Sequence, residues 1–172
     1  MRVATADDLF TEHRHGVFRY FCRAIGQVET ARDLTQEVFL RVARADVPKR
    51  DPAGLRAWVF TIARNLALNH ARDGQRRPSP VELAETAGPA VQELGVAIER
   101  ALAALPAVDR DVFLLRETAG LSYGEIAAAC ELTVEAVRAR LHRARVDLRA
   151  ALDGPIRVHR DRAVRFGGRE EP

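Results

Sequence analysis

A chain of 172 residues with 47% hydrophobic and 30% charged side chains has the composition of a globular protein that can bury one or two small cores. Its formal net charge of +3 permits a polyanionic partner but does not require one. The first ten residues lack the apolar core of a signal peptide, and no apolar run reaches membrane-spanning length, so we expect a cytoplasmic protein.

The charge is distributed unevenly along the chain. Residues 55–77 contain five arginines and one aspartate, and residues 133–152 contain five arginines, one glutamate and one aspartate. Residues 81–100, which lie between these blocks, contain four glutamates and one arginine. The sequence therefore has two basic blocks separated by an acidic segment.

The first helical pattern runs from about residue 6 to Gly26, a natural helix stop. Its apolar stripe contains Leu9, His13, Val17, Phe21 and Ile25. His13 and His15 have no further ligands at metal-binding spacing, so we interpret them as structural or solvated histidines. Cys22 and Cys130 lie within helical patterns and are expected to be buried, unpaired thiols.

A second helix is predicted to start at Thr30, with Asp33 as its capping partner. Its inner stripe contains Ala31, Leu34, Val38 and Val42. The side chains left to face outward are Asp33, Gln36, Glu37 and Leu40. That acidic face with one apolar residue fits either a docking surface or an ordinary solvated face.

A third helix is predicted from Pro52 to Arg72, because Asp51 is a good N-cap and proline is tolerated at the first helical position. It packs through Leu55, Trp58, Val59, Ile62 and Leu66 and presents Arg64, Asn65, Asn69, His70 and Arg72 on its later part. Asn65 and Asn69 share a face, and asparagine can read adenine edges. A solvated helix end is the alternative interpretation.

Glycine, proline and acidic residues interrupt the helical pattern from about residue 73 to residue 95, which we interpret as a linker. A new helix is expected near Val96, with Ile98, Leu102 and Leu105 inward, and Pro106 begins another over residues 108–118. The predicted organisation is all-α: a first helical domain (1–77), a flexible linker (78–95), a second helical domain (96–152) and a mobile tail (153–172).

The second domain contains a helix-turn-helix pattern. Ser122 followed by Glu125 is a capping box that starts a short helix at Tyr123. After a brief connection over residues 130–132, Thr133 is the N-cap of a longer helix. A capped helix, a tight turn and a longer helix together form the plan of a DNA-binding motif.

The longer helix has one apolar side and one basic side. Its inner stripe is Val134, Val137, Leu141, Ala144, Leu148 and Leu152, and its outer side carries Glu135, Ala139, His142, Arg143 and Val146, flanked by Arg138, Arg140 and Arg149. Small residues and arginines suit a major groove, since arginine binds guanine edges and phosphates. The alternative is a solvated basic face.

Three blocks of this sequence resemble the extracytoplasmic-function sigma factors of bacterial RNA polymerase. The blocks are DLTQEVFLRV (33–42), RAWVFTIARNLALNHAR (56–72) and LSYGEIAAACELTVEAVRARLHRAR (121–145). Their order and spacing cover most of residues 7–152. The resemblance implies a protein without catalytic residues or cofactors that binds core RNA polymerase and promoter DNA, and an anti-sigma factor that holds it inactive.

The resemblance also implies roles for individual positions. Asp33, Gln36, Glu37 and Leu40 correspond to the surface that docks on the polymerase clamp helices, and the polymerase flap is a further expected contact. Lys49, Arg50, Asn65, Asn69 and Arg72 correspond to contacts with the minus-ten element, where the loop at residues 47–51 captures a flipped base. Arg138, Ala139, Arg140, His142 and Arg143 correspond to contacts with the minus-thirty-five element.

The sequence departs from the family pattern at two places. Glu131 occupies a turn position where the family often has glycine, so it would be strained if the turn requires a positive φ. The loop VPKRDPAG (47–54) lacks the usual small polar run, so a base preference at the minus-ten element does not transfer.

Two other classes of function are alternatives to a sigma factor, a DNA-binding regulator and an enzyme. A DNA-binding regulator with a ligand-sensing first domain would share the helix-turn-helix but bind its operator without polymerase. An enzyme is disfavoured because Ser79 and Ser122, the only serines, lie in the linker and at a helix cap. No phosphate-binding glycine loop or metal-ligand cluster appears in the sequence.

Overall fold

The computed structural model describes residues 4–48, 50–73 and 89–153. Every regular element in these ranges is an α-helix, and the predicted all-α fold with two helical units is confirmed. The helices are α1 (Ala6–Ile25), α2 (Val28–Arg44), α3 (Pro52–Asp73), α4 (Pro89–Ala104), α5 (Ala107–Glu117), α6 (Tyr123–Cys130) and α7 (Val134–Asp153).

The first unit is formed by α1, α2 and α3, which pack against one another pairwise. A capping box starts α1: the Asp8 backbone N–H donates to Thr5 Oγ1 at 3.2 Å, and the Thr5 backbone N–H donates to Asp8 Oδ2 at 3.0 Å. Gly26 ends the helix with a φ of 79°, as its place in the sequence predicts. The core of the unit includes Val17, Phe21, Val38, Val59 and Phe60.

The predicted start of α2 is wrong. The helix begins at Val28, with Gln27 as an N-cap that makes no side-chain capping bond. Thr30 lies inside the helix, and its hydroxyl donates to Gln27 Oε1 at 3.0 Å. Because Gln27 is already extended directly after Gly26, the chain re-enters a helix two residues before the first strong capping residue.

The start of α3 agrees with the sequence. The Gly54 backbone N–H donates to Asp51 Oδ1 at 2.7 Å, so Asp51 is the N-cap and Pro52 is the first helical residue. The helix continues to Asp73, one residue beyond the predicted end.

The predicted linker extends too far towards the second unit. α4 begins at Pro89, so residues 89–95 are helical rather than linker. A proline that follows a glycine is typical of a loop, but Pro89 occupies the first helical position, where its missing N–H costs no hydrogen bond. Lys49, residues 78–88 of the predicted linker and residues 154–172 of the predicted mobile tail lie outside the described residues.

The second unit packs α4, α5 and α6 around α7. Its core includes Val112, Leu115, Ile126, Val137 and Leu141, all of which are fully or almost fully buried. The two units also contact each other, because α3 packs against α6 and α1 packs against α5. The buried side chains of both units therefore form one continuous cluster.

Candidate nucleic-acid interface

The helix-turn-helix has the caps that the sequence predicts. The Glu125 backbone N–H donates to Ser122 Oγ at 3.3 Å, and Glu125 Oε2 accepts from the Ser122 backbone N–H at 2.6 Å. The Ala136 backbone N–H donates to Thr133 Oγ1 at 3.1 Å, which fixes the start of α7. The starts of α6 and α7 are therefore both held by local side-chain caps.

Glu131 is the turn residue between α6 and α7, and it has left-handed backbone angles, with φ 56° and ψ 46°. It is the only residue other than glycine with a positive φ in the described parts of the chain. Its backbone N–H donates to the Ala127 carbonyl, and the Leu132 N–H donates to the same oxygen at 2.9 Å. The turn therefore requires the conformation that favours glycine, and glutamate adopts it at a cost.

α7 separates an apolar side from an exposed side. Val137, Leu141, Ala144 and Leu148 are buried in the second unit. Arg138, Ala139, His142 and Arg143 are exposed, and Arg140 is partly buried on the shoulder between the two sides. The residues predicted to read the upstream element therefore share one continuous, largely exposed surface.

Two of these arginines bind a buried aspartate that the sequence analysis missed. Asp109, in the first turn of α5, accepts from Arg140 Nη1 at 2.7 Å, from Arg143 Nε at 3.2 Å and from Arg143 Nη2 at 3.5 Å. Burial alone would raise the pKa of Asp109, but the bonds from Arg140 and Arg143 outweigh burial, and the pKa lies below its ordinary value. The carboxylate is therefore charged at neutral pH.

The predicted minus-ten residues lie mostly on the exposed side of α3. Asn65, Asn69 and Arg72 are exposed, as is Arg50 in the preceding loop. Arg64 was expected beside them but points elsewhere: it is only 16% exposed, and its Nε lies 3.1 Å from Asp111 Oδ2. The sequence pattern places Arg64 on the later part of α3 but does not show that the second unit covers it.

The predicted polymerase-binding residues lie on one face of α2. Asp33, Gln36 and Leu40 are exposed, and Glu37 forms a 2.7 Å ion pair with Arg41. Beside them, a groove of about 340 Å³ separates α2 from the start of α1. It is lined by Ala6, Asp7, Phe10, Gln36, Phe39, Leu40 and Ala43.

Phe10 is the residue of this groove that sequence reasoning missed. Its ring packs edge-on against Phe39 with centroids 5.0 Å apart, yet 41% of the residue stays exposed. Leu40, on the other wall, is 48% exposed. A phenylalanine just off the buried stripe of α1 was the available signal. The outward face of α2 therefore continues into an apolar groove.

Polar contacts join the two units. Besides the Arg64–Asp111 pair, the Arg56 guanidinium donates to the Ala119 carbonyl and lies 3.8 Å from Glu125 Oε1. Ala119 precedes Gly120, which has a φ of 67° and lies close to the same guanidinium. α3 thus carries the exposed asparagines on one side and two arginines bound to the second unit on the other.

Other candidate chemistry is placed as follows. Cys22 and Cys130 are buried and unpaired, and burial raises the pKa of the Cys130 thiol to about 11. His13 is buried, which lowers its pKa. Within residues 4–48, 50–73 and 89–153, no three His, Cys, Asp or Glu side chains are grouped to hold a metal ion. No helix in the same ranges is long and apolar enough to cross a membrane.

Comparisons with known proteins agree with this architecture. Residues 9–77 match the family model for sigma-70 region 2, and residues 95–148 match the model for sigma-70 region 4. The two matches divide the chain as its helices do, with α1–α3 in the first and α4–α7 in the second.

Two bacterial sigma factors are similar in sequence. The ECF RNA polymerase sigma factor SigL of Mycobacterium tuberculosis is 32% identical over 154 residues, covering 84% of this chain and 86% of that protein. The ECF RNA polymerase sigma factor SigE of Mycolicibacterium smegmatis is 33% identical over 154 residues, covering 83% of this chain. The match spans only 60% of the SigE protein.

A solved structure has the same fold. The sigma factor RpoE from Bartonella quintana, crystallised with the anti-sigma factor NepR, superposes with a TM-score of 0.70 over 87% of this chain and 97% of its own, at 23% identity. The two region matches and the SigL similarity establish the family. This chain belongs to the extracytoplasmic-function RNA polymerase sigma factors, the non-enzymatic proteins that direct promoter recognition and transcription initiation.

Proposed function

We propose that this sigma factor reads the minus-thirty-five element with the exposed side of α7. The observation that carries the proposal is the shared exposed surface of Arg138, Ala139, His142 and Arg143 on the second helix of a helix-turn-helix whose two helices are both capped. A small residue at position 139 lets the backbone approach the major groove, and the arginines supply donors for guanine edges and phosphates. Arg140, on the shoulder, is placed to reach the adjacent backbone.

The first unit contacts the minus-ten element in this proposal. Asn65, Asn69 and Arg72 form an exposed polar surface on α3, and Arg50 precedes the helix. Loop residues Val47–Asp51 take the part of the base-capturing loop, and the role of Lys49 rests on the family resemblance alone. Capture of an extruded base offsets unstacking, which costs a few kcal/mol.

Docking on the polymerase clamp helices is proposed for the outward face of α2. Asp33, Gln36, Glu37 and Leu40 provide acidic and apolar contacts, and the groove beside Phe10 extends that surface. An aromatic ring that stays exposed next to an apolar wall suits a protein interface better than solvent. The second unit would contact the polymerase flap, and the complex would act in the cytoplasm.

An anti-sigma factor is the proposed negative regulator. The support is the likeness in fold to a sigma factor that was crystallised with its anti-sigma factor, together with the exposed apolar groove on α1 and α2. Such a partner would compete with polymerase if it covers the same groove. A competition assay between the anti-sigma factor and core polymerase, run with wild-type protein and with Phe10→Ala, would show whether both bind this groove.

The test of the main proposal is transcription in vitro by this protein with core RNA polymerase on a library of promoters. Selective output that needs both an upstream and a downstream element is expected. Tight binding to one DNA site without core polymerase would instead support a conventional DNA-binding regulator.

We call the exposed face of Arg138, Ala139, His142 and Arg143 on α7 the reading surface. Arg143→Ala tests whether this surface reads bases. Loss of a base contact should cost on the order of 1–3 kcal/mol of discrimination at one upstream position and relax the preference there. Arg149→Ala removes the same charge six residues further along α7 and is the control. If Arg143→Ala keeps the base preference of the parent at every upstream position, Arg143 does not read a base.

A further inference from the structure

Asp109 has been given no role so far, although its carboxylate contacts Arg140 and Arg143 at the edge of the reading surface. Its side chain is buried, lies on α5 rather than α7, and is reached by two arginines that are 31 and 34 residues away in sequence. We propose that Asp109 is a positioning residue for promoter recognition, which holds the Arg143 guanidinium in the orientation that reads a base. This inference rests on the proposed role of α7.

The geometry leaves the useful edge of Arg143 free. Asp109 accepts from Nε and Nη2, which lie along one side of the guanidinium. A guanidinium has five N–H donors, so the outer edge formed by Nη1 and Nη2 keeps its donors for DNA. That outer edge is the pair that binds a guanine or a phosphate in a bidentate way. The Arg143 side chain is 54% exposed, so this edge is accessible.

Arg140 also holds the Asp109 carboxylate. Its Nη1 lies 2.7 Å from Asp109 Oδ1, the shortest of the three bonds, and the Asp109 side chain is only 3% exposed. Burial and the bond from Arg140 leave the carboxylate little freedom to move. The Asp109 carboxylate is therefore held in place on α5, and its hydrogen bonds orient the longer Arg143 side chain.

Arg138 provides the contrast on the same helix. It is exposed, and no hydrogen bond or ion pair to it is found among the residues that the structure describes. A free arginine must lose its rotamer freedom on binding DNA, whereas Arg143 has already lost part of it. We therefore expect Arg138 to hold phosphate without base preference and Arg143 to read a base.

The decisive experiment compares Asp109→Asn with wild type in transcription by the reconstituted holoenzyme. The templates are a promoter and its single-base variants in the upstream element. The ratio of output from the preferred base to output from the variants should fall about three- to tenfold at one position, which is the range that ordering one side chain supplies. Output from the disfavoured variants should stay level or rise, because a negative charge near DNA is gone.

Glu117→Gln is the matched control. Glu117 is also on α5, and its Oε1 lies 2.8 Å from Nη2 of Arg145 on α7, so the variant removes the same charge from an exposed α5–α7 ion pair that does not include the proposed base-reading residues. It should keep every base ratio of the wild type. In an Arg143→Ala background, Asp109→Asn should lower the ratio no further.

Several outcomes would overturn the inference. Asp109→Asn could keep all wild-type ratios, reduce output from every template by one factor, or lower the ratio equally with and without Arg143. If wild-type holoenzyme is not selective at all, the proposed function itself fails. If Asp109→Asn does not fold, side-chain nitrogen relaxation in the full-length wild-type protein decides: Nε of Arg143 should be more ordered than Nε of Arg138, and equal order rejects the proposal.

Discussion

The left-handed Glu131 shows how a single residue can retain strain within a well-formed motif. The turn between α6 and α7 holds it at φ 56° through the backbone bonds that close α6. A glutamate pays a steric cost in this region that glycine does not, because its Cβ approaches the neighbouring carbonyl.

Glu131→Gly should therefore raise the free energy of unfolding by about 0.5–1 kcal/mol, since the relief of strain exceeds the added freedom of the unfolded chain. Urea denaturation measures the change. Glu135→Gly, in the first turn of α7, is the control and should lower stability by about 1 kcal/mol. Loss of stability in both variants would show that Glu131 is not strained.

At the scale of the element, α7 has two roles: one side packs in the core of the second unit, and the other presents the surface proposed to contact DNA. Its buried stripe fits among α4, α5 and α6, and the same helix presents the arginines. The packing of the buried stripe therefore determines where the reading surface lies.

Leu141→Ala should lower the free energy of unfolding by about 2–5 kcal/mol, because Leu141 is 1% exposed and its removal leaves a cavity. Thermal and chemical unfolding measure the loss. Val146→Ala, on the exposed side of α7, should change stability by less than about 0.5 kcal/mol. Equal effects of the two variants would contradict the assignment of the helix faces.

Local chemistry explains which parts of these elements were predictable. The caps at Ser122, Thr133 and Asp51 depend on only a few neighbouring residues, and the structure contains all three. The start of α2 was not predictable in this way, because no side chain caps it. Nor was the start of α4, because a proline after a glycine fits both a loop and a first helical turn.

Contacts between distant residues were beyond the sequence pattern. Asp109 and Arg143, or Arg64 and Asp111, are 34 and 47 residues apart, and helical periodicity does not state which helices meet. The exposed faces of α2 and α7 could be predicted because each is a property of one helix. The groove at Phe10 and the hydrogen bonds that Asp109 accepts from α7 could not be predicted, because each is formed by two helices.

For the whole molecule, the notable feature is that two units assigned to two promoter elements also pack on each other. The Arg64–Asp111 pair is mostly buried between them, with side-chain exposures of 16% and 9%. Contacts between domains of one chain are commonly polar and reversible, and this one contains two arginines and two carboxylates.

Arg64→Ala should loosen the contact between the units, because it leaves the buried Asp111 carboxylate without its ion-pair partner. Burial raises the pKa of Asp111 despite Arg64, and loss of the arginine should raise it further. Small-angle scattering should show a larger radius of gyration than wild type. Arg145→Ala, which breaks an exposed pair inside the second unit, should leave the radius unchanged. An unchanged radius in Arg64→Ala would mean that the ion pair does not hold the units together.

Tyr20 lies where the units meet. It is completely buried, its ring packs near Phe60, and its hydroxyl has no hydrogen-bond partner among the described residues. Burial and the neighbouring Asp111 raise its pKa well above the ordinary value. Burying a hydroxyl without a hydrogen-bond partner costs about 1–3 kcal/mol. Parting the units would let this hydroxyl reach water, so separation would recover part of the free energy that burying it costs.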